Sequence, residues 1–250
     1  MHAVYALEIR RLCRGPSLWV MAAILQIVLA WYCLSALEHY LSMQAKIALS
    51  DNGPGLTTWL LARYSYPSAF ALLLTVPALS MQSIATERRE GSLTQLLVAP
   101  VSALSITLGK FAALATVLCG YVGLALLNYL CLALLAQLDL LAIAVAHVSL
   151  LALVLSAAAI GMFCSSLTTS SVASAFSTSA VILIMWLMGG SQEQLFAGLS
   201  IESLSLPSHL GRGLQGVLHS ADISYFIIII IAALLFACRR LSNLRLNGVN

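Results

Sequence analysis

Charge is what this chain has least of. Lysine and arginine number 12 and aspartate and glutamate nine among 250 residues, 8% in all, while 61% are hydrophobic and the mean hydropathy is +0.98. Soluble domains carry about 25% charge and roughly 45–50% apolar residues, so a water-soluble globule is excluded. Alternating ten-residue segments are also lacking, which excludes an outer-membrane barrel and leaves a bundle of apolar helices. The net charge of +3 is too small and scattered for a nucleic-acid surface. The six cysteines (Cys13, Cys33, Cys119, Cys131, Cys164, Cys238) fall in apolar runs or on the side that carries most arginines, so they imply no disulfide framework, and their spacing matches no metal site. Neither Lys46 nor Lys110 lies in a Gly-x-x-x-x-Gly-Lys-Ser/Thr pattern, so the chain has no phosphate-cradling loop of its own. No serine, histidine and aspartate constellation or carboxylate pair stands out, which points away from catalysis and from a cofactor or metal held by this chain.

What is present is a set of membrane-length apolar runs. Residues 1–16 read as a short amphipathic helix on a membrane surface, with Leu7, Ile9 and Leu12 set against Glu8, Arg10, Arg11 and Arg14. A cleaved leader is the competing reading, but the run Ser17 to Leu37 has 21 residues and no clear cleavage site, so it is expected to stay as a first span. Further spans are expected at 67–85, 111–135, 140–163, 172–188 and 223–238. Pro77 is a candidate kink in the second, and residues 38–66 are expected to be an outward loop with partial helix near Trp59. Val101 to Lys110 is expected to return along the surface, and Cys164 to Ser171 to make a tight Ser/Thr-rich turn. Residues 191–222 read as an outward amphipathic segment of short helices, since Pro207 and the glycines at 211, 213 and 216 argue against one long helix. A plain surface loop is the alternative there.

Six spans put both termini on one side. With the N-terminus inside, nine basic residues (Arg10, Arg11, Arg14, Arg88, Arg89, Lys110, Arg239, Arg240, Arg245) face the cytoplasm and three (Lys46, Arg63, Arg212) face outward. That asymmetry follows the positive-inside bias. It also makes cytoplasmic the densest charge in the chain, Glu87-Arg88-Arg89-Glu90. After the break at Gly91, Leu93, Leu96 and Leu97 recur at helical spacing before Pro100, giving a short amphipathic helix with an apolar face. An ordinary charged loop is the other reading of these residues. Within the spans, Gln26, Gln82, Asn128 and His147 are the conspicuous polar side chains. With no charged residue beside it to relay a proton, His147 reads as a hydrogen-bonded packing residue and Asn128 as a bond between helices. Ala157-Ala158-Ala159-Ile160-Gly161 and the stretch 170–179 supply small residues for close helix approach.

The segment Glu87-Arg88-Arg89-Glu90-Gly91-Ser92-Leu93, its ending Leu96-Leu97-Val98-Ala99-Pro100-Val101-Ser102 and the basic N-terminus together resemble the ABC-2 family of ATP-binding-cassette export permeases. Leu108-Gly109-Lys110-Phe111 looks like that family's start of a third span, and Gly161 to Thr168 like its turn after the fourth. Leu204 to His209 with Gly216-Val217-Leu218 and Asp222 to Phe226 is similar to the gliding-motility-associated branch. Thr94 departs from the glutamate many relatives carry there, and with it goes any ion pair from that position. The resemblance implies an all-α fold: a six-helix permease with an N-terminal interfacial helix and a cytoplasmic coupling helix, in a bacterial inner membrane. It implies docking on ATPase subunits in two copies through Glu87, Arg88, Arg89, Glu90, Gly91, Leu93, Leu96 and Leu97. It further implies a second permease chain, identical or related, and ATP and Mg on the ATPase alone. Leu206, Pro207, His209 and Leu210 are then candidates for an outward gate or for contact with an envelope accessory protein. Two other functions stay open: a membrane anchor that transmits ATPase motion to an envelope partner, and an ion-coupled carrier using His147, against which the lack of intramembrane carboxylates counts.

Overall fold

A computed structural model describes residues 2–48, 55–90, 102–190, 194–196, 199–200, 205–217 and 219–247. Helix α1 (His2–Arg14) ends where Gly15 donates its N–H to the Leu12 carbonyl. Pro16 then opens α2 (Pro16–Ala48), at a first-turn position where its missing N–H costs nothing. Helix α3 (Leu56–Ser80) carries Pro67 and Pro77 within it and leads through a turn into the short α4 (Ala85–Glu90). Helix α5 (Ala103–Ala133) starts at Ser102, whose hydroxyl accepts from the Ser105 N–H. Helix α6 (Leu140–Leu167) starts at Asp139, whose carboxylate accepts from Leu141 and Ala142. Both are ordinary N-caps that satisfy otherwise orphaned donors. Helix α7 (Ser171–Leu187) continues into a single 3₁₀ turn, followed by β1 (Gln194–Phe196) and β2 (Leu199–Ser200), paired antiparallel. Helix α8 (Leu206–Leu214) and α9 (Ser220–Asn247) complete the chain.

Among the described residues five helices are long and apolar enough to cross a bilayer: α2, α3 with its continuation, α5, α6 and α9. Large apolar side chains such as Ile27, Trp31, Leu141 and Phe176 point outward and more than two-thirds exposed, as a lipid-facing surface requires. The protein is a multi-pass, all-α membrane protein whose only strands among the described residues are β1 and β2. At 17 residues α7 is about 25 Å long, just short of a ~30 Å hydrocarbon core. The limits 17–37, 140–163 and 223–238 read from hydropathy lie inside longer helices, whereas 111–135 and 172–188 run one or two residues past the ends of α5 and α7, and 67–85 crosses the turn between α3 and α4. Residues 38–48 and 56–66, expected as loop with partial helix near Trp59, are helical throughout, because Leu60, Leu61 and Tyr64 are buried and tie that stretch to the core. Of the stretch Val101 to Lys110 expected to return along the surface, Val101 lies outside the described residues and the rest does not do so. From Ala103 it forms the first turns of α5, with Ile106, Thr107 and Lys110 buried.

Small residues set the packing at the centre. Ala157, Ala158 and Ala159 are wholly buried on α6. A Cβ at Gly161 would run into the Ser80 side chain and meet Thr178, so α3, α6 and α7 approach through that glycine. At the end of the bundle that carries the termini, Ile84, Ile106, Met162 and Leu241 form a cluster of their own. At the other end Leu206, Leu210 and Leu214 of α8 join the main core, and α8 lies so close to α6 that a Cβ at Gly213 would collide with Ser149. Gly216, at φ +85°, makes the left-handed turn out of α8 that other side chains disfavour.

Candidate functional site

The terminal end of the bundle holds a buried cluster of four charges. Glu8 and Arg11 sit three residues apart on one face of α1, where side chains at that spacing are neighbours. Glu87 lies in the first turn of α4 and Lys110 in the second turn of α5. The Lys110 ammonium donates to Glu87 Oε1 at 2.6 Å and to Glu8 Oε2 at 3.0 Å, and Arg11 Nη1 donates to the same Glu87 oxygen at 2.9 Å. Side-chain exposure is 1% for Lys110, 4% for Glu87 and 5% for Glu8, against 33% for Arg11. Two acids and two bases leave the cluster neutral, the condition under which charges tolerate burial.

The same α4 is fixed from its other side by α6 and α7. The Ser165 hydroxyl accepts from the backbone N–H groups of Ile84 and Ala85 at 3.1 and 2.9 Å. Thr86 and Ser171 share a hydroxyl hydrogen bond of 3.0 Å. The Ser/Thr-rich turn after α6 therefore packs on α4. Helix α4 is thus held by α1 and α5 through charge and by α6 and α7 through hydroxyls, and it hands the chain directly to residues 91–100.

The residues expected to face a partner divide accordingly. Glu87 is turned into the protein, bonded to Lys110 and Arg11, rather than presented to solvent. Arg88 is half-buried on α4. Arg89 and Glu90 complete that helix, and Gly91, Leu93, Leu96 and Leu97 lie outside the described residues. Glu8, Arg11, Lys110, Ser165 and Ser171 are not among the site candidates drawn from the sequence. The available signals were Glu8 and Arg11 at helical spacing beside an apolar stripe, and a lone lysine at the start of a chargeless run.

At the opposite end, Leu206 and Leu210 are fully buried and Pro207 packs at Gly189. His209 Nδ1 lies 2.7 Å from the Asp222 carboxylate, and Arg212 Nε donates to the other oxygen of Asp222 at 3.1 Å. The Tyr225 ring stacks on His209 with centroids 4.0 Å apart. Hydrogen bonding to Asp222, with the carboxylate's charge, raises the Arg212 guanidinium further above its ordinary range. Leucine burial and ion pairing together lock α8 onto the start of α9. Mid-bundle, Asn128 accepts from Gln26 at 3.1 Å and donates to Tyr64 at 2.9 Å, so it bridges α2, α3 and α5. His147 Nδ1 lies 2.8 Å from its own helix's Ile143 carbonyl, and its ring meets Tyr129 edge-on.

Compared with known protein families, residues 2–238 match the model of the ABC-2 family transporter protein. The chain belongs to the ABC-2 transporter family. As such it is a membrane permease subunit of an ABC transporter, of the kind that partners with an ABC ATPase and is itself generally non-catalytic. No curated protein matches the chain. Among ABC-2 features, the charged run at 87–90 thus begins with an acid that faces inward, and its remaining residues continue toward the segment expected to dock.

Proposed function

We propose that this ABC-2 protein is the permease of an ATP-driven exporter in a bacterial inner membrane, and that the four-charge cluster transmits movement from the ATPase to the spans. The supporting observation is that α4, immediately before 91–100, is tied through Glu87 and Lys110 to both α1 and α5. A rigid, charge-paired junction passes on displacement that a solvated loop would absorb. Both termini and residues 86–110 face the cytoplasm, in keeping with nine basic residues against three, and α7 is the sixth span. Two such chains, identical or related, assemble with two ATPase subunits, which hold the ATP and Mg. Arg88, Arg89 and Glu90 offer charged hydrogen bonds to the ATPase, Leu93, Leu96 and Leu97 fill a groove on it, and Gly91 permits the turn between. Leu206, Pro207, His209 and Leu210 cap the outward end of the pathway, where an envelope accessory protein could be met.

The test is the permease–ATPase complex in proteoliposomes, with a cysteine introduced at exposed Val217 as a reporter of the outward end. Thiol labelling at that position is expected to change on ATP addition in the otherwise native complex. With Glu87→Gln the change is lost while the ATPase still co-purifies. With Gly91→Val or Leu93→Ala co-purification itself falls, since one buried leucine contributes about 1.5–3 kcal/mol. Full nucleotide response in all three variants would refute the reading.

A further inference from the structure

Helices α2 and α3 leave a seam between them whose chemistry changes along its length. Toward the end away from the termini it opens into a cavity of about 430 Å³, lined by Glu38, His39 and Ser42 of α2 and by Arg63 of α3. One helical turn further down both helices, past Tyr32 and Pro67, lies a second cavity of about 240 Å³. Its walls are apolar, among them Met21, Leu25 and Val28 on α2 and Leu74 on α3. The one hydroxyl there, of Thr75, is spent on its own helix's Leu72 carbonyl at 2.7 Å.

The upper cavity carries one cation and one anion that do not satisfy each other. Among the described residues neither Arg63 nor Glu38 makes an ion pair or hydrogen bond. The Arg63 guanidinium rests over the Trp59 ring at 5.6 Å. That ring is itself held by its indole N–H on the Ala36 carbonyl at 3.2 Å and by the neighbouring rings of His39 and Tyr40. A tryptophan fixed in this way marks the level of the lipid headgroups. The register agrees. From His39 down to Val28 is about 16 Å and from Arg63 down to Thr75 about 18 Å at 1.5 Å per residue, so the lower cavity begins near the middle of a ~30 Å core, and an extended acyl chain hung from the headgroup level reaches its upper part.

A ligand that fits the whole seam has a head bearing both charges and a tail without any. We propose that the seam between α2 and α3 seats a zwitterionic phospholipid of the phosphoethanolamine type, with its phosphate at Arg63, its ammonium at Glu38 and an acyl chain in the groove below. Arg63 offers a planar fork of donors suited to phosphate, which lysine would bind only as a point charge. Glu38 is an acceptor-only group suited to a primary ammonium. A headgroup of single negative charge would leave Glu38 opposed rather than paired, so the two ionised residues together select the zwitterion. The site is independent of the ATP-coupled reading above and would stand if that reading failed.

The experiment is native mass spectrometry of the full chain in detergent, titrated with phosphatidylethanolamine or phosphatidylglycerol of identical acyl chains. The native chain is expected to retain the ethanolamine lipid in preference. Arg63→Gln should weaken retention of both lipids by about tenfold, the scale of one charge-assisted hydrogen bond. Glu38→Gln should abolish the preference while leaving the glycerol lipid bound. Leu74→Trp, which fills the lower groove, should weaken both lipids with the charges intact. Soluble phosphoethanolamine distinguishes a lipid from a free phosphorylated amine: it should fail to displace the bound lipid at equal concentration. Retention unchanged by Arg63→Gln and Glu38→Gln in chains that keep their native melting temperature overturns the proposal. So does displacement by the soluble amine together with indifference to Leu74→Trp.

Discussion

Lys110→Met is the most informative single change at the four-charge cluster. Methionine keeps the length and most of the volume of the side chain, so neither a cavity nor overpacking confuses the result. What disappears is the one cation shared by two carboxylates, each about 5% exposed or less. Glu87 keeps Arg11 at 2.9 Å. Glu8 has no other ion pair or hydrogen bond among the described residues and is left as an unpaired buried charge. Breaking a buried pair from one side costs about 3–5 kcal/mol, a large part of the ~5–15 kcal/mol by which a folded protein is stable. Adding Glu8→Met removes the stranded charge as well and puts an apolar side chain in its place. The double variant should then recover to within about 1–2 kcal/mol of the native chain, because the apolar replacement of a whole buried pair is often nearly neutral. The assay is denaturation of the purified chain in a mild detergent, followed by loss of helical circular dichroism. A single variant as stable as the native chain, or a double variant worse than the single one, would show that burial at the α1–α5 contact does not govern these charges.

Three more outcomes are expected. Gly161→Ala should destabilise by about 1–3 kcal/mol because its Cβ meets Ser80, and Ser80→Gly should recover much of that loss in the same melting assay. Leu210→Ala, at a fully buried site, should cost about 2–5 kcal/mol and raise amide hydrogen exchange throughout α8. Asp222→Asn should raise it less, since Arg212 is half-exposed and solvent screens the pair. For orientation, single cysteines replacing Ser50, Ser92 and Ser200 in a cysteine-free background should react with an impermeant thiol reagent in intact cells at the first and last positions only, and reaction at the middle one would invert the topology.

The helices were legible in the sequence because hydropathy acts over neighbouring residues: the runs without charge from Phe111 to Leu138 and from Leu140 to Leu167 need no distant information. Helix ends were less legible. Glu38 and Arg63 look like the edges of a loop, yet the helices run past them because backbone hydrogen bonds hold in water as well as in lipid and Tyr64 anchors the stretch from inside. The buried cluster was hidden for a different reason. Glu8 and Lys110 are 102 residues apart, and each alone has the character of a solvated interfacial charge. Counting basic residues predicts one shared side of the membrane for them but not which of them are withdrawn from water there. Only when α1 is laid against α5 does the neutral sum of Glu8, Arg11, Glu87 and Lys110 become a single unit, and that pairing gives the first acid of a run expected to meet a partner a reason to turn into the protein. The charge pattern on α4 therefore carries two kinds of information: Glu87 fixes the helix to the bundle, and on the function proposed above the residues after it are the ones offered to the ATPase.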